Sequence, residues 1–173
     1  TIADVLQMDF AEAAEFFESQ PRISDPLKLL AETGLGYLTL GQASNTLSGG
    51  EAQRLKLVTE LIKGRRVSRN ALMKGKELPG DLYLIEEPSI GLHPRDVRLL
   101  IDVLHRLADQ GNTVIVIEHN TEIMAEADYI IDMGPGPGEA GGTIVAEGTP
   151  EQIAKKNSPT AEYIRRELEP DSV

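Results

Sequence analysis

Leu47-Ser48-Gly49-Gly50-Glu51-Ala52-Gln53-Arg54 decides how this chain is read. A Ser-Gly-Gly turn opens straight into a helical pattern, with Leu55, Val58, Leu61 and Ile62 spaced to form one apolar face. Two glycines let a backbone approach a ligand closely, and the first N–H groups of a helix carry partial positive charge toward a phosphate. Ser48 adds a hydroxyl donor. Downstream, in order, an apolar run at 82–85 ends in Glu86-Glu87-Pro88, and a second at 113–117 leads through Glu118 to His119.

A loop that cradles phosphates needs G-x-x-x-x-G-K-[ST]. The Gly-Lys pair of this chain is Gly75-Lys76, but position 70 is Asn and position 77 is Glu. A loop of that form is not present in this sequence.

The 173 residues, 40% hydrophobic and 26% charged, have the composition of a soluble globular domain. The absence of Cys excludes disulfides and thiolate metal sites, and three scattered His give no ligand cluster, so no zinc is expected. No apolar run reaches membrane-spanning length and no secretory signal opens the chain, which makes a cytoplasmic protein without a membrane partner the expectation. A net charge of −11 argues against general nucleic-acid binding by these residues alone. The charge is uneven, however: Lys63, Arg65, Arg66, Arg69, Lys74 and Lys76 follow one another with no acid between them. That stretch is either a solvated surface loop or a phosphate-contacting patch, in which case Arg65, Arg66 and Arg69 are the candidate DNA contacts.

Around these motifs the chain reads as alternating helices and strands. Thr1 and Asp9 are candidate N-caps, and Phe10, Ala13, Ala14 and Phe17 line one face of the second helix. Asp25-Pro26 has the form of an N-cap plus first helical residue, with Gly34 as the stop. The short run at 82–85 has the pattern of a strand covered on both faces. Pro94 fits a first helical turn, Val97, Leu100, Ile101, Leu104 and Ala108 mark the buried stripe, and Gly111 ends the helix. Strands at 113–117 and 129–133 flank a short helix near Ile123 and Met124, and this β–α–β–α–β order implies a parallel sheet with right-handed crossovers. The match to G-x-G-x-x-G at 136–141 is not a dinucleotide site, because the chain continues into a strand at 143–146 instead of opening a helix. Thr149-Pro150-Glu151-Gln152 is a capping box, and Ser158-Pro159 starts a last helix.

The ordered set of Leu47–Arg54, Glu86-Glu87 and His119 resembles the signature, Walker B and switch-histidine motifs of the ATP-binding-cassette ATPases. The resemblance assigns roles. Ser48, Gly49, Gly50 and Glu51 meet ATP held by an opposing cassette, and Glu86 organises Mg²⁺ through a water. Glu87 orients or deprotonates the attacking water, and His119 contacts the γ-phosphate. Ser89, Gly91 and His93 occupy the place of the loop that crosses the dimer interface. The strings Gly36-Tyr37-Leu38-Thr39-Leu40-Gly41-Gln42, Gly91-Leu92-His93, Val116-Ile117-Glu118-His119-Asn120 and Ile144-Val145-Ala146-Glu147-Gly148-Thr149-Pro150 are similar to the UvrA family, the damage-recognising subunit of bacterial nucleotide excision repair. The likeness covers almost the whole chain and places it at the end of the second cassette.

The fold implied is α/β, an incomplete ATP-binding-cassette P-loop ATPase domain with a mostly parallel sheet and flanking helices, plus a helical signature subdomain. Residues 1–80 would form that subdomain and the basic link, and 81–173 the core from Walker B onward. The function implied is ATP-dependent recognition of DNA damage, in the company of an opposing cassette, a dimer mate, DNA and a UvrB-like partner bound through upstream regions. Three departures stand out: Glu86 replaces the usual Asp, Ser89-Ile90 replaces Thr-Thr, and residues 64–80 exceed the family's short link. Two other readings stay open, the ATPase of a transporter or other cassette protein, and a weakly hydrolysing nucleotide-switched dimerisation module.

Overall fold

The computed structural model describes residues 1–72, 80–136 and 141–169, and for 65–72 the backbone course alone. Two compact units divide the chain, Thr1–Ile117 and Glu118–Val173.

In the first unit, α1 (Ile2–Gln7) and α2 (Phe10–Phe16) each open on a capping box, Thr1 with Asp4 and Asp9 with Glu12. Ala13 and Ala14 are buried as their spacing predicts, while Phe10 and Phe17 are half-buried. Helix α3 (Pro21–Leu30) begins earlier than Asp25-Pro26 suggests. Pro21 takes the first-turn position, where a missing N–H is harmless, and Pro26 is carried inside. The burial of Leu27, Leu29 and Leu30 outweighs the one hydrogen bond Pro26 cannot make. The helix runs into a π turn, Ala31–Leu35, and stops at Gly34, whose φ of 78° is one that glycine adopts without strain. Beyond it the chain is laced back onto α1 and α2: Phe10 N–H donates to Leu38 O at 2.9 Å, Leu40 N–H to Met8 O at 3.0 Å and Gly41 N–H to Leu6 O at 2.8 Å.

Helix α4 (Gly49–Leu72) has 24 residues and buries Leu57, Val58 and Leu61, with Leu55 and Ile62 at the margin. Its backbone carries the basic stretch as far as Leu72, so the expected loop is helical to that point. The side chains of Arg65, Arg66 and Arg69, and all of residues 73–79, lie outside the described residues.

Strands β1 (Leu82–Glu86) and β2 (Thr113–Ile117) pair in parallel, Leu82 opposite Thr113 and Glu86 opposite Ile117. The crossover is α5 (Pro94–Ala108). Its buried stripe runs through Val97, Leu100, Val103, Leu104 and Leu107, with Ile101 and Ala108 at the edge. Asn112 pins the end of α5 to the start of β1: its amide donates to Leu107 O at 2.8 Å and its carbonyl accepts from Asp81 N–H at 2.9 Å. The strands are not covered on both faces, as their apolar run led us to expect. Leu82, Leu84, Ile115 and Ile117 are 60%, 71%, 47% and 62% exposed, while Ile85 on the opposite side is buried. An apolar run reports what a strand can bury, and among the described residues of this unit the Ile85 side is the covered one.

In the second unit, β3 (Ile130–Gly134) pairs antiparallel with β4 (Thr143–Gly148), with an irregularity between Asp132 and Met133. A third parallel strand was expected. Instead β3 takes its hydrogen-bonding partner from the short glycine-rich return of the chain, which needs no crossover helix. Residues 137–140 of that return, and with them most of the rejected G-x-G-x-x-G string, lie outside the described residues. Ile130, Ala146, Ile153, Ala161 and Ile164 form the core of this unit. Helices α6 (Thr121–Ala125), α7 (Pro150–Ile153) and α8 (Pro159–Leu168) are capped by Asn120, Thr149 and Ser158, the Thr149 box closing through Gln152 as its spacing predicts.

Candidate functional site

The Ser48 turn is fixed by a capping box built from its own residues. Ser48 N–H donates to Glu51 Oε2 at 2.6 Å, and Glu51 N–H donates to Ser48 Oγ at 3.3 Å. Because Ser48 Oγ accepts this bond, its hydrogen stays free to donate outward. The other oxygen of Glu51 accepts from the Tyr37 hydroxyl. The Tyr37 hydrogen bond and then the Ser48 N–H hold the Glu51 carboxyl below the ordinary carboxylate range, and the same bond to Glu51 raises the Tyr37 phenol above its usual value. Both carboxylate oxygens of Glu51 are therefore engaged inside the protein.

Around this turn lies a cavity of about 380 Å³, walled by Tyr37, Ser48–Glu51, Arg54 and Ile90–Leu92. Gly49 faces open space, since a Cβ there would meet nothing within 4 Å. At Gly50 the opposite holds: a Cβ would come within 2.5 Å of Leu92 Cδ2. Beneath the turn Arg54 is 4% exposed, and its Nη1 lies 3.3 Å from Asp96 Oδ1 on α5. Neither Nε nor Nη1 of Arg54 makes a hydrogen bond of good geometry.

Glu86 closes β1 and is exposed, as is Glu87. Glu87 has a φ of 44°, the one left-handed backbone among the described residues that are not glycine. Its N–H donates to Ile117 O at 2.8 Å and its carbonyl accepts from Ile90 N–H at 3.1 Å, so the strand pair and the following turn impose that conformation. Strain of this kind persists only where surrounding structure over-determines it, and it gathers at functional sites. A second turn follows, closed by Leu92 N–H to Ser89 O at 3.0 Å. His93 then caps α5, its Nδ1 accepting from Arg95 N–H at 3.2 Å. Gly91 and the Ser48 turn thus meet at one cavity; Glu86 and Glu87 stand outside its wall, at the end of β1.

His119 belongs to the second unit. Glu118, its side chain 2% exposed, accepts from the N–H groups of His119 and Asn120 at 2.7 and 2.9 Å. This bracing fixes the backbone and leaves the His119 side chain 76% exposed. Among the described residues no three His, Asp or Glu side chains gather into a metal-binding group. Mg²⁺ does not require one: it is usually held by one or two carboxylates, with waters and substrate phosphates completing its shell. The exposed carboxylates of Glu86 and Glu87 fit that donor set. In the basic stretch, Lys63 pairs with Glu60 at 2.7 Å. Among the described residues no helix is long and apolar enough to cross a membrane.

The sequence reading gives Tyr37, Arg54 and Asp96 no role. Each acts through a partner distant in sequence, Tyr37 fourteen residues from Glu51, and no local pattern pairs them.

No protein-family model matches the chain. It is 51% identical to UvrABC system protein A of Aquifex aeolicus over 173 residues, 99% of this chain and 17% of that protein. Against UvrABC system protein A of Deinococcus radiodurans the identity is 52% over 167 residues, 96% of this chain and 15% of that protein. The crystal structure of UvrA2 from Deinococcus radiodurans superposes with a TM-score of 0.83 at 46% identity, over 98% of this chain and 19% of that one. The chain thus spans 15% to 17% of the length of these curated relatives. With half its residues shared over nearly its full length, and the same α/β fold, the chain is a stretch of UvrA-family sequence.

Proposed function

We propose that the chain is the C-terminal ATPase segment of a UvrA-like protein that recognises DNA damage in nucleotide excision repair. One observation carries this reading. The Ser48–Glu51 turn is a rigid helix N-terminus, open to solvent at Gly49, in a chain half identical to UvrABC system protein A. A free hydroxyl hydrogen, an unobstructed glycine and the positive end of a 24-residue helix suit an oxyanion such as a terminal phosphate.

Ser48, Gly49 and Gly50 receive the γ-phosphate of ATP held by an opposing cassette, while Glu51 fixes the turn that presents them. Ser89, Gly91 and His93 lie at the boundary between cassettes. Glu86 holds Mg²⁺ through a water; when bound, the ion neutralises charge on the phosphate oxygens. Glu87 orients the attacking water and takes its proton on the carboxylate, and His119 contacts the γ-phosphate. Residues 1–80 act as the signature subdomain with its basic link, and residues 81–173 as the core from Walker B onward. DNA and a UvrB-like partner bind the whole protein in the cytoplasm, with Arg65, Arg66 and Arg69 as candidate DNA contacts. Glu86 in place of Asp also favours a second reading, a nucleotide-switched module that hydrolyses slowly.

The test is Glu87→Gln in a UvrA protein carrying this segment. The amide keeps the shape and loses the base, so ATP turnover is expected to fall ~10²–10⁴-fold with nucleotide binding nearly unchanged. Turnover within about twofold of the parent would remove Glu87 from catalysis. Turnover already near zero in the parent would favour the switch.

A further inference from the structure

Tyr37 stands where the N-terminal helices meet the Ser48 turn. Its backbone follows the π turn at Ala31–Leu35, and the residues just after it are stitched to α1 and α2 by three main-chain hydrogen bonds. The phenol is thus carried on a stiff support, although the ring itself is largely exposed. Its hydroxyl donates to Glu51 Oε1, while Glu51 Oε2 receives the Ser48 N–H at 2.6 Å. One carboxylate bridges the phenol and the turn.

We propose that Tyr37 is a positioning residue for the Ser48 turn: it fixes the rotamer of Glu51 and so the direction in which Ser48–Gly50 face a ligand. Without it, the Glu51 carboxylate is held by the Ser48 N–H alone, and the capping box opens to solvent more often. Hydrogen bonds to a carboxylate are the stronger kind, and an ordered donor avoids the entropy of fixing the acceptor side chain at each turnover. The inference rests on the ATPase reading for its consequence in catalysis, but not for the lock itself.

The experiment has two arms. In the chain itself, the carboxyl titration of Glu51 is followed by NMR with and without Tyr37→Phe. Loss of the phenol hydrogen bond is expected to move that titration upward, toward the ordinary carboxylate value. An unchanged titration would overturn the lock, and a role limited to fold stability would not move it. In a UvrA protein carrying the segment, Tyr37→Phe is expected to lower kcat about three- to tenfold, the scale of one charge-assisted hydrogen bond at an exposed site, with KM for ATP nearly fixed. A kcat within about 1.5-fold of the parent for Tyr37→Phe, beside a shifted titration, would overturn the positioning role. Gly49→Asp separates the two readings, since open space at Gly49 spares the fold while the new carboxylate blocks a phosphate. If Gly49→Asp leaves turnover intact, the ATPase reading of the turn fails, and the lock is judged by the titration alone.

Discussion

Arg54 Nη1 lies 3.3 Å from Asp96 Oδ1, and this ion pair ties the helix of the Ser48 turn to the helix that follows the Glu87 turn. The two partners are unequal: the Arg54 side chain is 5% exposed and that of Asp96 36%. The pair therefore neutralises a buried cation with a carboxylate that keeps much of its hydration. Asp96→Ala is expected to cost about 2–3 kcal/mol, less than the loss of one member of a fully buried pair, because water relieves part of the stranded charge. Arg54→Met removes the charge together with two donors that make no good hydrogen bond, and is expected to be nearly neutral. Urea unfolding of both variants checks the asymmetry. Equal losses would mean that the pair contributes net stability of its own, and a loss confined to Arg54→Met would mean that Arg54 is held by packing rather than by Asp96.

The left-handed backbone of Glu87 makes stability and chemistry separable at one position. Glu87→Gly relieves strain and loses some chain entropy, a net gain expected at about 1 kcal/mol. Glu87→Gln keeps the strain and should unfold with the parent. Thermal melts of the chain decide this; a glycine variant less stable than the parent would show that the turn tolerates φ of 44° without cost.

Much of this arrangement is legible in the sequence. The helix opening behind Ser48, the Thr149 box, the Pro94 first turn and the stop at Gly34 are local patterns, and the structure forms each one. What the sequence hides is non-local. The apolar runs of β1 and β2 say nothing about how many layers pack on them. The pattern at 129–133 cannot say whether β3 joins a parallel neighbour or turns back to pair with β4. Pro26 misleads for a related reason: its ring is a good helix starter, but Pro21 had already taken that position. Tyr37 and Asp96 are invisible as site residues because their partners come from other elements.

His93 caps α5 with a ring nitrogen, an acceptor that exists only while Nδ1 is unprotonated. An aspartate at the same position would accept the Arg95 N–H with a full negative charge at the positive end of the helix. His93→Asp is expected to stabilise the chain by about 0.5–1 kcal/mol. Denaturant midpoints test this. A loss of stability would mean that the imidazole makes a packing contribution larger than its cap.

The link between Tyr37 and Glu51 has a definite pH window. A carboxyl held below its unfolded value contributes stability that is present above the unfolded pKa and lost as pH falls through the lowered one. A phenol held above its unfolded value contributes stability that is present below the unfolded pKa, about 10, and lost as pH rises through the raised one. The Ser48 turn should therefore stay locked across the neutral range and loosen only in acid below the ordinary carboxylate value or in strong alkali. Amide exchange at Ser48, whose N–H is held by Glu51, reads both limbs once the intrinsic pH dependence of exchange is divided out. Loss of protection near neutrality would break the link between the titrations and the turn.

Strand β1 alternates, so Leu82, Leu84 and Glu86 project from one side, and the two leucines lie bare there. A two-stranded pair with an uncovered greasy side is marginal by itself, and its population rises with whatever surface lies against it. Any such surface that shields the leucines ends beside the Glu86 carboxylate. Covering that side would change the water and the local dielectric around Glu86 in the same event that secures the strands. Completion of the tertiary structure and maturation of the acid end of β1 would then be a single cooperative step.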